Sequence, residues 1–90
     1  MATLLTAGGR EGEVNPANGS RFTLAELQAA VGGYIELLRL NDGRLMVLND
    51  EGKLKGLPFN QMASALAWGR LGPGDYVVGD VLVCVGREID

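Results

Sequence analysis

The chain contains no histidine. That removes the commonest general base, the commonest protein metal ligand and every arrangement in which an imidazole activates a serine or cysteine. A single cysteine is present, so no intramolecular disulfide can form. Cys84 lies within Val81-Leu-Val-Cys-Val85, with no cationic neighbour in sequence to stabilise a thiolate, and its expected role is packing. No apolar run approaches the roughly 20 residues that span a bilayer, and Met1 to Ala7 has neither the basic lead nor the length of a secretory segment. The expectation is a cytoplasmic protein without membrane contact. Basic residues are also sparse: 8 Lys and Arg stand against 11 Asp and Glu, for a net charge of −3. They are scattered singly, so no stripe is available to displace counterions from a nucleic-acid backbone, and direct nucleic-acid binding is not expected.

What is present suits one small folded unit. Ninety residues, 47% of them hydrophobic and 21% charged, supply one core without metal or disulfide support, and residues 1–90 are read as a single domain. A domain of this size buries a limited share of its apolar surface, which makes a homo-oligomer the expected state.

Local signals predict an α+β fold, a small mixed and mostly antiparallel sheet of about five strands with two short helices. Leu4 and Leu5 begin a first strand that ends at Gly8-Gly9. Arg10 to Ser20 carries two turn signals, Asn15-Pro16 and Asn18-Gly19, and reads as a loop or irregular hairpin. Thr23-Leu-Ala-Glu26 is a capping box that starts a helix, with Gly32-Gly33 as its stop. Tyr34 to Leu40 and Leu45 to Leu48 flank Asn41-Asp-Gly43 as a β-hairpin. Asn49-Asp-Glu-Gly52 marks another turn, after which Lys53 to Leu57 reads as a short extended piece before Pro58. Asn60 caps a second helix running through Trp68, whose apolar face is Met62, Ala65 and Leu66. Tyr76-Val-Val78 and Val81-Leu-Val-Cys-Val85 read as strands interrupted at Gly79-Asp80.

Reactive constellations are missing from this layout. The carboxylate pairs Asp75 with Asp80, and Asp50 with Glu51, sit where tight turns use aspartate in any case. The glycines match neither a P-loop nor a dinucleotide fingerprint. We therefore expect no catalytic residues, no metal and no cofactor. A binding surface is what remains. In extended geometry Lys53 and Lys55 project from one face, Phe59 follows with a ring that can stack, and Asn60 offers a donor and an acceptor if the helix cap leaves it free. Against this, Leu54, Leu57 and Phe59 also suit a core with the lysines in water. Tyr34, Trp68 and Tyr76 stand at element edges, where a ring can be half exposed and any one could line a pocket, with packing the expected role.

Val31-Gly-Gly-Tyr-Ile-Glu36, Glu51-Gly-Lys-Leu-Lys-Gly-Leu-Pro58 with Asn60, and Gly79-Asp-Val81 occur in this order. Over Phe22 to Gly86 the chain resembles a small uncharacterised domain family of bacteriophages and plasmids, with Arg10 to Ser20 longer and richer in glycine than the usual lead-in. The resemblance carries no catalytic mechanism. It implies residence in a host bacterial cell and turns the expectation towards a non-enzymatic counter-defence protein. One form of that expectation sequesters an anionic, cyclic-nucleotide type of immune signal through Lys53, Lys55, Phe59 and Asn60. The alternative is a protein–protein inhibitor of a host defence complex, of anti-CRISPR or anti-restriction type, and a third is a phage accessory protein with no small ligand.

Overall fold

The computed structural model describes residues 2–89. Five antiparallel strands form one sheet in the order β2-β1-β5-β4-β3, where β1 is Ala2–Leu5, β2 Glu11–Val14, β3 Ile35–Arg39, β4 Leu45–Asn49 and β5 Val81–Cys84. Helix α1, Leu24–Val31, covers one face, and helix α2, Gln61–Leu66, covers the other, followed by a 3₁₀ turn at Trp68–Arg70. The expected α+β class and strand number are found.

Strand alternation sets the two cores. On β4 and β5, Val47, Leu82 and Cys84 face α1, where Phe22, Leu27 and Val31 meet them. Met46, Val81 and Val83 face the other way, towards Ala63 and Ala67. Every one of these side chains is buried, so the two central strands are apolar on both faces while the outer strand β2 is mostly exposed.

The capping box forms as its spacing predicts. Thr23 Oγ1 accepts the Glu26 N–H at 3.2 Å, Glu26 Oε1 accepts the Thr23 N–H at 2.9 Å, and Gly32 ends the helix with φ +80°. Glu26 also accepts the Ala17 N–H, and these backbone bonds, that from Thr23 first, hold its carboxyl below the usual carboxylate range. Replacing Thr23 by Ala should lower stability by about 1 kcal/mol, read as a shift of the urea midpoint at unchanged slope.

Three local expectations are corrected. Glu11–Val14 is a strand paired with β1, through a turn in which the Thr6 N–H donates to the Arg10 carbonyl at 2.8 Å. Conversely, Tyr76–Val78 is no strand and makes a single bridge, Val78 to Phe59. Its backbone is taken by the start of α2: the Asn60 N–H donates to the Val77 carbonyl at 2.9 Å and the Val77 N–H to Ser64 Oγ at 2.8 Å. The expected strand count therefore holds through an exchange of one segment for another. The apolar face of α2 is also turned by one residue: Ala63 and Ala67 are buried, Met62 is half-buried, and Ala65 and Leu66 are exposed. Two small residues are what the helix presents to the sheet.

Candidate functional site

The expected turn at Asn49 to Gly52 forms, but tight turns continue through Gly56 where Lys53 to Leu57 was expected to be extended. Asn49 starts it by accepting the Glu51 N–H on Oδ1 at 2.9 Å, and the Lys55 N–H then donates to the Glu51 carbonyl and the Leu57 N–H to that of Gly52. Coiling the backbone separates the two lysines, because side chains two apart no longer share a face as they would in a strand. Lys53 reaches Asp75, with which it forms a salt bridge, and its ammonium lies 4.4 Å from the centre of the Tyr76 ring. Lys55 runs the other way. A Cβ placed on Gly33 would lie 2.7 Å from Lys55 Nζ, which puts that ammonium at the C-terminal end of α1, where a cation is favoured by the helix dipole.

Asn60 is likewise not on the surface. It is 0% exposed, its Oδ1 accepts the Ala63 N–H at 3.0 Å, and its Nδ2 donates to the carbonyls of Leu5 at 3.0 Å and Gly79 at 2.8 Å. The side chain caps α2 and ties it to β1 and to the approach to β5, with both amide hydrogens engaged. Of the four residues expected to share a ligand site, only Lys53 and Phe59 stay near one another, both against Tyr76.

Beside Phe59 stand Trp68 and Tyr76, whose expected role was packing. Trp68 is 80% exposed, Phe59 53% and Tyr76 44%. These three rings, with Leu71 and the Gly72-Pro73-Gly74 turn, line a cleft of 580 Å³. Phe59 and Tyr76 meet at 6.0 Å between ring centres with planes tilted by 55°. The positions follow from local structure: Trp68 opens the 3₁₀ turn one residue beyond the buried Ala67, Phe59 precedes the α2 cap, and Tyr76 follows the glycine-rich turn. A tryptophan beside glycine at a helix end, followed by Gly-Pro-Gly, is the sequence signal for a ring that no local element can cover.

Asp75 joins the aromatic cleft to a second, more polar one of 330 Å³, which also contains Tyr76. The Lys53 hydrogen bond first, and the Tyr76 N–H second, hold the Asp75 carboxyl below the usual carboxylate range. Because the folded value is the lower one, the contact contributes at neutral pH and is lost as pH falls through that depressed value. An NMR titration of the Asp75 side-chain carbon should give a midpoint below that of an ordinary aspartate, and Lys53→Ala should raise it while the Tyr76 N–H still holds it down.

Cys84 is buried beneath α1, with its thiol pushed up to about 11, by burial first and the Glu88 carboxylate second. Among the described residues, no group of three or more His, Cys, Asp or Glu side chains converges to hold a metal ion, and no helix is long and apolar enough to cross a membrane.

The family described as Domain of unknown function (DUF3846) matches residues 2–90. The chain belongs to this family. No curated protein and no solved structure matches it. For this DUF3846 chain the match takes in Phe59, Trp68, Asp75 and Tyr76, together with the strand β2 that lies outside the segment on which the sequence resemblance rested.

Proposed function

We propose that this chain is a non-catalytic binding protein of phage or plasmid origin that antagonises a host defence component by occupying it, with the aromatic cleft as its contact surface. The observation that carries this reading is the exposure of Trp68 beside Phe59 and Tyr76 in one cleft. Large rings left in water are unfavourable unless a partner covers them, and tryptophan and tyrosine dominate the energetics of protein interfaces. Leu54, 88% exposed, lines the adjoining polar cleft and extends the apolar surface past Tyr76. A polypeptide partner matches this open, mostly apolar surface. Its target would be part of a host defence complex, as in the inhibitor reading of the sequence.

Sequestration of an anionic nucleotide is the second reading, and one observation favours it: a 580 Å³ cleft walled by rings has the size and chemistry to hold a planar base. Its anion-holding side is the weaker part, since Lys53 is paired with Asp75, Lys55 lies at the end of α1 and Asn60 is buried.

Two measurements separate the readings. Immobilised protein should retain a host protein in defined stoichiometry, with retention lost in Trp68→Ala and kept in Leu24→Ala, a control at an exposed position on α1. Incubation with cyclic nucleotides and ADP-ribose-type compounds should leave every one at its starting concentration. Depletion reversed by heating would favour sequestration instead, and the appearance of new products would contradict a non-catalytic role.

A further inference from the structure

Lys53 shows what kind of group this surface accepts. Its ammonium is held by the Tyr76 ring and the Asp75 carboxylate together, an aromatic face with an anion beside it. That pair is complementary to a cation, and Tyr76 and Asp75 also line the aromatic cleft with Phe59 and Trp68. The charge around them has the same sign. The adjoining cleft holds Glu36, Asp50, Glu51 and Asp75 against Lys53 and Arg70, four acids to two bases. Arg70 is already engaged, its Nε donating to the Arg39 carbonyl at 2.9 Å. The chain as a whole carries −3. Such a rim repels a phosphate and attracts a basic segment.

We infer that the Phe59, Trp68, Tyr76 and Asp75 cleft binds an arginine side chain of a basic segment of the partner protein, and that Lys53 is an internal competitor for the same groups. The inference rests on the protein-partner reading above and names the feature recognised. Arginine fits better than lysine because a planar guanidinium stacks on the indole and phenol rings while its fork of N–H donors meets the carboxylate. Displacing Lys53 exchanges one cation for another at Asp75, so the carboxylate is never left unpaired. The internal ammonium lowers apparent affinity by the fraction of time it occupies the site.

Trp68 is the only tryptophan, so its emission reports on the cleft directly. The probes are a tetra-arginine peptide amide, tetra-lysine, tetra-glutamate and AMP, titrated at low salt. Tetra-arginine should change the emission saturably, tetra-lysine should bind several-fold more weakly, and tetra-glutamate and AMP should have no effect. Asp75→Asn should weaken tetra-arginine binding about ten-fold. Lys53→Ala should tighten it about three- to ten-fold by removing the competitor. Glu13→Gln on β2 changes net charge by the same amount as Asp75→Asn and should leave the strong binding in place. Circular dichroism on each variant checks folding, and the opposite directions of the Asp75 and Lys53 effects exclude a common loss of structure.

Weaker binding in Lys53→Ala would overturn the inference, because Lys53 would then belong to an anion site. Equal effects of Glu13→Gln and Asp75→Asn would reduce it to diffuse attraction and overturn it too. A response to AMP without one to tetra-arginine would also reject the cationic class. If neither probe moves the emission while partner capture still depends on Trp68, the arginine assignment fails and the protein-partner reading stands. Capture that ignores Trp68→Ala rejects that reading itself.

Discussion

Replacing Asn60 by Ala should cost about 2–4 kcal/mol of folding stability, the sum of a lost helix cap and two buried carbonyls left without their amide donor. The Ala63 N–H loses its acceptor, and the carbonyls of Leu5 and Gly79 lose Nδ2. A small domain has only some 5–15 kcal/mol in total, so a urea titration should show a large fall in midpoint. Asn60→Asp makes the mechanism visible. Its carboxylate would keep the cap but point an oxygen at two carbonyl oxygens, raising the folded pKa above the ordinary carboxylate value. The added penalty should therefore be absent below the ordinary value, grow as pH rises between it and the raised one, and stay constant above that. An Asp variant no less stable at neutral pH than at pH 4, after subtraction of the wild-type pH dependence, would show that the amide hydrogens do not matter.

Gly79→Ala should also destabilise, by about 1–3 kcal/mol, for two reasons that other glycines separate. Its φ is +77°, where a Cβ costs about 1–2 kcal/mol, and an added Cβ would lie 2.8 Å from Leu57 Cδ1. That atom is the end of the flexible, half-buried Leu57 side chain, which can turn aside, so the contact adds at most about 1 kcal/mol. Gly19 shares the positive φ, +77°, but has nothing within 4 Å of the added carbon, so Gly19→Ala should cost about 1 kcal/mol. Gly12 has open space and no positive φ, and Gly12→Ala should change stability by no more than about 0.5 kcal/mol. The order Gly79, Gly19, Gly12 in urea midpoints tests both contributions at once. Gly79 also donates its N–H to the Pro58 carbonyl at 2.7 Å, so its conformation helps to set where Phe59 leaves the core.

How much of this could be read from sequence depends on the range of the interactions. The Thr23 to Glu26 capping box and the Asn41-Asp-Gly43 hairpin involve partners a few residues apart, and both form as expected. In the hairpin loop Gly43 takes φ +89° while Asp42 accepts the Arg44 N–H. Asn60 was legible as a cap, but its bonds to Leu5 and Gly79 depend on the packed sheet, and they bury a side chain that looked available. The turn at Asn49 to Gly52 was legible, whereas its continuation from Lys53 to Gly56 was hidden for a related reason. Alternation of Lys, Leu and Lys suggests a strand, whereas the Asn49 side chain and a left-handed Gly56, φ +68°, wind the backbone. The candidate surface was legible in part, through Lys53 and Phe59. Trp68 was legible as an edge residue but weighed towards packing, because the expected helix face of Met62, Ala65 and Leu66 hid that the alanines at 63 and 67 are what the helix buries.

Amide and indole NMR spectra of labelled protein, titrated with the host protein retained by the immobilised chain, test most directly whether the Phe59, Trp68 and Tyr76 cleft is the working surface. The largest shifts should fall on the Trp68 indole N–H and on the backbone of Phe59, Asp75 and Tyr76, with Lys55, Gly33 and Asn49 unmoved. Shifts centred on Lys55 and the end of α1, with the Trp68 indole unchanged, would contradict that role.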